Sequence, residues 1–372
     1  MNAPPFIELD DTDERIVELL RRDGRMPYRA MAADLGVTEA TVRSRVRRLE
    51  GSNAMRVVAV TDFQAAGFEL MLAVGIKVDA RAPQDVAEDL AMIPEVFSIN
   101  LVIGAFDIEI LVVAEDQAAL AELIYQRLAA VPGVLRVATA LAVDVLKNQP
   151  DSVPLSVRTA HSPDSSGSGG ASRRSLPQEG GTSEASMRQS ADGTTGGEHA
   201  NKAISEPDCA GFGAGLVGSR SRLDETDLSI VGHLGRDART SNRQIAEQVG
   251  VTEGTVRARI KRMTEDRQIR ITAVTNIDRY RDAAIAYIWV EVESSNKAQQ
   301  VARQMADMQE FGFVGLMVGR FDILGITMVR NTEHLAHFVH RHISGLPGVR
   351  RTESTLSVNF VKHDYRMSRI VG

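Results

Sequence analysis

The chain has 372 residues, a single cysteine and a formal net charge of −6. At about 100–200 residues per domain, two to four domains are expected. Cys209 alone excludes an internal disulfide framework and a Cys-rich zinc site, and the net charge excludes a wholly basic nucleic-acid coat while leaving local basic patches open. No run of 18 apolar residues and no basic-then-apolar start is visible, so neither a membrane span, a membrane partner nor a signal peptide is expected, and the expected location is cytoplasmic.

The sequence repeats itself. Residues 9–62 realign with 223–276 at an offset of 214, with 25 of 54 positions identical. The likeness resumes at an offset of 215, where GAFD at 104–107 matches GRFD at 319–322 and VPGV at 131–134 matches LPGV at 346–349. This is a fused duplication. Between the copies, residues 149–221 are rich in Ser, Gly, Thr and Asp and lack a sustained apolar period. They are expected to be a disordered linker, and GFGAGLVG at 211–218 is read with it rather than as a phosphate loop, because no strand precedes it. The expected boundaries are 8–62, 66–148, 222–276 and 283–364 around that linker.

In each copy the first segment is helical. Asp10 and Asp224 are placed to cap a helix, with Asp13 and Asp227 three residues on. Ile16, Leu19 and Leu20 form its apolar stripe, repeated by Ile230 and Leu234. A short second helix is expected near 28–34 and 242–248, with Ser241 as a cap and Pro27 in the equivalent place. Gly36–Val37–Thr38 and Gly250–Val251–Thr252 read as a tight turn and a threonine cap. The third helix buries Val42, Val46 and Leu49, matched by Val256, Ile260 and Met263.

This is the pattern of a helix-turn-helix, and its surface is basic. Residues 21–56 hold nine arginines against four acids, and 234–270 hold nine Lys/Arg against five acids. The third helix therefore suits the DNA major groove. The candidate DNA-binding residues are Thr38, Thr41, Arg43, Ser44, Arg45, Arg47 and Arg48, then Thr252, Thr255, Arg257, Arg259, Lys261 and Arg262. Thr41, Arg43, Ser44 and Arg47 lie on the outward arc, while Arg45 and Arg48 are placed for backbone or a neighbouring acid. Glu39 and Glu253 suit the helix N-terminus. Ser44 becomes Ala258 and Arg47 becomes Lys261, so the copies can read different half-sites.

The second segment alternates. Strands are expected at 68–78, 96–103, 106–113 and 134–145, with helices near 84–92 and 117–130. The second copy gives strands at 284–293, 312–318, 321–329 and 349–361, with helices at 297–309 and 333–344. The order βαββαβ is a ferredoxin-like unit, so the fold class is α+β: a winged-helix-type helix-turn-helix plus a ferredoxin-like domain, duplicated. Tyr287, Trp289 and the run Leu101–Val102–Ile103 leave the second sheet face apolar, which predicts self-association sheet against sheet. The GxxD segments fall at a hairpin, where glycine is expected to supply the turn. Asp107 and Asp322 can cap backbone N–H groups or accept from a ligand amino group.

These motifs resemble the Lrp/AsnC (leucine-responsive, feast/famine) regulators. The family pattern appears as LDDTDERI, DGR, MAADLGVT and TVRSRVRRLE, and again as LDETDLSI, DAR, IAEQVGVT and TVRARIKRM. The resemblance implies a sequence-specific DNA-binding regulator associated with the nucleoid, assembling through its βαββαβ domains. It also implies a small effector, an amino acid or related metabolite, near Gly104, Asp107, Gly319 and Asp322. Two departures stand out: two units in one chain, and no Gly–Val/Ile after the third helix, where Ser52–Asn53–Ala54–Met55 and Asp266–Arg267–Gln268–Ile269 occur. Two other classes compete. One resembles the sirohaem decarboxylases, with His334, His337, His340, His342 and His363 as the histidines to weigh; the first copy has no matching set, and no carboxylate is placed to orient them. The other is an architectural DNA binder without a sensor. Neither a metal, a cofactor nor a catalytic residue is expected.

Overall fold

The computed structural model describes residues 7, 9–148, 221–276, 284–364 and 367–368. The linker expected at 149–221 lies outside the described residues except for Ser221. Its backbone carbonyl and hydroxyl oxygens both accept from Gln268 Nε2.

Local signals build the helices. In α1 (Asp11–Arg22) and α6 (Glu225–Leu234), Asp10 and Asp224 accept from the backbone N–H three residues on, and Asp13 and Asp227 reach back to complete the box. Ser241 caps α7 (Asn242–Val249), whereas α2 (Tyr28–Leu35) starts after Pro27 with no side-chain cap. Both end at a left-handed glycine, Gly36 (φ 66°) and Gly250 (φ 77°), which turns the chain into α3 (Glu39–Gly51) and α8 (Glu253–Glu265). The buried residues of α3 are Val42, Val46 and Leu49, and those of α8 are Val256, Ile260 and Met263. After each, the chain reverses through a left-handed non-glycine residue, Asn53 (φ 54°) and Arg267 (φ 55°).

Next come two strands the periodicity did not announce, β1 (Met55–Asp62) and β6 (Ile269–Thr275). They pair antiparallel with each other, from Met55↔Thr275 to Thr61↔Ile269, and so join the two helical segments. A short strand, β11 (Met367–Ser368), lies parallel to the end of β1.

The βαββαβ units follow as β2 (Leu70–Val78), α4 (Pro83–Ala91), β3 (Val96–Ile103), β4 (Ile108–Ala114), α5 (Gln117–Glu122) and β5 (Val134–Asn148). Their repeats are β7 (Ala284–Val292), α9 (Ser295–Asp307), β8 (Phe311–Val318), β9 (Ile323–Val329), α10 (Thr332–Phe338) and β10 (Val349–His363). The expected helices at 117–130 and 333–344 each change to a π-turn midway, at Leu123–Leu128 and Val339–Ile343. The eight strands of the two βαββαβ units close into one barrel of order β10-β3-β4-β2-β5-β8-β9-β7. Closure occurs within the chain: β5 pairs with β8 and β10 with β3, so neither sheet keeps an open edge.

The barrel interior is an apolar core drawn from both copies, including Ala73, Leu111, Tyr287, Trp289, Phe313 and Leu324. Separate cores lie between each sheet and its own helices. The run Leu101–Val102–Ile103 does not share one face as expected. Side chains alternate along a strand, so Val102 enters the barrel, Leu101 packs toward the helices and Ile103 is 67% exposed.

Candidate nucleic-acid interface

Thr38 and Thr252 set the start of the two third helices. Each hydroxyl accepts from the backbone N–H of Thr41 or Thr255 at 3.1 Å and lies 2.8 Å from that residue's own hydroxyl. With the apolar residues of α3 turned inward, Arg43, Ser44, Arg47 and Arg48 stand exposed, and in α8 Arg257, Ala258, Lys261 and Arg262 stand exposed at the equivalent positions. Arg43 pairs with Glu39 at 2.6 Å and Arg257 with Glu253 at 2.7 Å, both one turn apart on the surface. Lys261 lies 3.7 Å from Glu265, and Arg47 makes no ion pair among the described residues.

Arg45 and Arg48 point elsewhere. Arg45 Nη1 donates to Asp10 at 2.6 Å and to Asp13 at 2.9 Å, and Arg48 also donates to Asp13. Arg259 and Arg262 repeat this on Asp224 and Asp227. Asp13 and Asp227 are buried, so each carboxylate is a latch holding the third helix to the first. The Arg45 guanidinium holds the Asp10 carboxyl below its usual range, and Arg259 does the same for Asp224. The capping aspartates thus serve two helices at once.

A second feature was not read from the sequence, although its DGR and DAR segments were in view. Arg25 donates to Ala238 O (2.8 Å), Asn242 Oδ1 (2.8 Å) and Thr240 O (3.2 Å) of the other copy. Arg239 returns the exchange to Gly24 O (3.1 Å) and Met26 O (3.3 Å) and lies over the Tyr28 ring at 4.4 Å. Burial, then the nearby Arg239 charge, lowers the Arg25 pKa. Gly24 N donates to Ile271 O and, in the repeat, Ala238 N donates to Val57 O, both at 3.1 Å, so each turn sits on the β1–β6 ribbon. A Cβ at Gly24 would come within 2.8 Å of Val57 Cγ1 and 2.9 Å of Ile271 Cγ2, so an alanine there requires those side chains to shift. Ribbon and arginine exchange make one body of the two helix-turn-helix units.

The GxxD segments lie far from α3 and α8 in sequence, at the barrel's β3–β4 and β8–β9 turns. Gly104 has no positive φ; its glycine is needed for a close approach, since a Cβ would stand 2.4 Å from Thr355 Cγ2. At Gly319 a Cβ would meet Thr139 O at 3.0 Å. Asp107 accepts from Val78 N and Lys77 Nζ, both at 2.9 Å. Burial opposes its ionisation, but those two bonds outweigh it and lower the pKa. Asp322 accepts from Val292 N at 2.8 Å. Where the first copy has Lys77, the second has Glu291, which binds Arg350 at 3.0 Å. The turns therefore share a backbone-capping role and differ in charge.

The histidines do not converge. His337, His340 and His342 are exposed. His334 Nδ1 accepts from Arg330 N at 3.3 Å, and His363 Nδ1 lies 3.0 Å from Ser98 Oγ. Among the described residues, no three His, Cys, Asp or Glu are grouped to hold a metal ion, and no helix is long and apolar enough to cross a membrane.

Residues 9–50 and 223–264 both match the AsnC-type helix-turn-helix domain. Residues 72–151 match the Lrp/AsnC ligand binding domain, and 280–369 match a C-terminal dimeric alpha+beta barrel domain. An uncharacterized HTH-type transcriptional regulator of Pyrococcus horikoshii is 34% identical over 143 residues, 38% of this chain and 90% of that protein. One from Pyrococcus furiosus is 33% identical over 144 residues, 38% of this chain and 97% of its own length. Among solved structures, the siroheme decarboxylase NirDL superposes with a TM-score of 0.57 over 96% of both chains at 12% identity. That likeness is one of fold, and it extends over the whole two-copy architecture.

Proposed function

The chain belongs to the Lrp/AsnC family of helix-turn-helix transcriptional regulators, in a tandem-duplicated form, and from that premise we propose that one chain carries both reading heads for a single two-part operator. The observation that carries this is the exchange of Arg25 and Arg239 across the β1–β6 ribbon, which holds the two heads together without a second chain. The base-reading residues are Thr41, Arg43, Ser44 and Arg47 on α3, and Thr255, Arg257 and Lys261 on α8. Arg45, Arg48, Arg259 and Arg262, engaged by Asp13 and Asp227, support the reading helices by holding them to the first helix of each head. Thr38 and Thr252 present the helix N-termini. Arg47 and Lys261 make the half-sites unequal, because a guanidinium fork and an ammonium point charge favour different partners on DNA.

Quantitative footprinting on DNA flanking the gene, with random DNA as competitor, tests this. Replacing Arg43 and Arg47 should weaken one half-site, and replacing Arg257 and Lys261 the other, by about 1–3 kcal/mol for each bidentate hydrogen-bonded base pairing removed. Unchanged footprints in both variants overturn the assignment of the reading helices. Equal affinity for random DNA favours the architectural reading. We further propose that an amino acid or related metabolite acts at the Gly104–Asp107 and Gly319–Asp322 turns; the ligand binding domain matched over residues 72–151 supports this for the first turn, and the second is included by its repeat position. Such an effector changes DNA binding only by favouring one arrangement of the chain over another, so repeating the footprints with single amino acids added is the test. The sirohaem-decarboxylase reading has the fold alone in its support.

A further inference from the structure

The two junctions that close the barrel share one register but not one chemistry. Leu356↔Ile103 on β10–β3 corresponds to Leu141↔Val318 on β5–β8, and the register shifts recur at matching positions. At the β10–β3 end, polar groups of the first copy enter the interior and find partners on the second. Asn100 Nδ2 donates to Tyr287 Oη at 2.6 Å, and Ser357 Oγ donates to Asn100 Oδ1 at 3.3 Å. Glu109 Oε1 accepts from Thr355 Oγ1 at 2.8 Å and from Trp289 Nε1 at 3.4 Å. All six residues are buried.

At the other end every equivalent position is small or apolar. The copy offsets and the pairings Gly75↔Glu109 and Trp289↔Leu324 match Asn100 with Gly315 and Glu109 with Leu324. Likewise Tyr287, Trp289, Thr355 and Ser357 correspond to Ala73, Gly75, Ala140 and Ala142. A barrel of two first copies would bury Asn100 and Glu109 against alanine and glycine, without their donors and beside empty space. A barrel of two second copies would crowd Tyr287 and Trp289 onto Leu324 and Phe313 and leave their polar atoms without partners.

We propose that the duplicated halves have become complementary, so that a first-copy sheet accepts only a second-copy sheet as its barrel partner. Polarity and volume both favour this: the unlike arrangement gives Asn100 and Glu109 donors from the second copy, and the two like-with-like arrangements fail in opposite ways.

Site-directed crosslinking in the full-length chain, with Cys209→Ser as background, tests the pairing. Ile103→Cys with Leu356→Cys reports unlike pairing, as those residues are cross-strand partners. Ile103→Cys with Leu141→Cys reports like pairing, because two first copies would oppose those positions across chains. Within one barrel β3 and β5 lie three strand spacings apart, roughly 14 Å, beyond a shorter maleimide crosslinker. The first pair should crosslink, and the second should yield dimers more than tenfold less. Failure of the first pair, or comparable dimer from the second, overturns the proposal. Tethering alone would also favour unlike pairing, so a third chain adds Ser98→Phe, Asn100→Gly and Glu109→Leu, which gives the first copy the apolar junction on both sides. Its like-paired dimer should rise severalfold, and a milder chain with Asn100→Gly alone should rise less. Absence of any rise in both assigns the selectivity to the tether and refutes the role of these residues.

Discussion

Glu109 is the most informative single position for stability. It lies buried in the barrel interior, one carboxylate oxygen bound by Thr355 and Trp289 and the other without a hydrogen bond. Burial, only partly offset by those two donors, pushes its pKa from 4.5 up to about 7, with Glu353 adding to the rise and Arg320 opposing it. A group whose folded pKa is raised favours the folded state fully below its unfolded pKa and loses that contribution as pH rises through the folded value. The window is therefore pH 4.5 to 7, and a rise across it corresponds to roughly 3 kcal/mol. Glu109→Gln keeps an acceptor for Thr355 and Trp289 and removes the ionisation. Urea unfolding of both proteins should show the glutamine variant more stable by about 2–3 kcal/mol at pH 8, with the gap nearly closed at pH 5. The difference between the proteins is the quantity to plot, because His363 works in the opposite sense. Its pKa is lowered to about 4, chiefly by burial, so its contribution is present above pH 6.5 and lost on acidification. That contribution cancels between wild type and variant. A difference that is flat from pH 5 to 8, or a variant less stable at pH 8, refutes the reasoning.

The remaining predictions concern the heads and the junction. Replacing Arg25 and Arg239 with alanine should leave each helix-turn-helix folded, with unchanged far-UV circular dichroism, but lower affinity for a two-part operator much more than for a half-site. Asp13→Ala or Asp227→Ala leaves two arginines without their buried acceptor; because both arginines remain partly exposed, a loss of about 1–3 kcal/mol in urea unfolding is expected. Gly104→Ala drives a methyl into Thr355 Cγ2 and should cost about 1–3 kcal/mol; Thr355→Ser, which keeps the hydroxyl for Glu109, should restore most of it by calorimetry.

Sequence alone determined whatever depends on neighbours a few residues apart. The aspartate boxes of α1 and α6, the threonine caps of α3 and α8, their four-and-three apolar spacing and the order βαββαβ all act within one or two turns or strands. Two copies of each signal made the duplication and its family pattern legible as well. Tertiary structure decided what depends on residues more than 150 positions apart. The strand at MRVVAVTD is buried at all but one position because its partner is β6, so it carries no alternation from which to read a face. Arg25 looks like one more surface arginine until Ala238 and Thr240 arrive from the second copy. Asn100 and Glu109 look like solvent-facing residues of half-buried strands, and only closure of the barrel sets Tyr287 and Thr355 against them. Local periodicity records which face of an element is apolar. It does not record which distant element will cover that face, since burial and hydrogen-bond partners come into being only when the two copies meet.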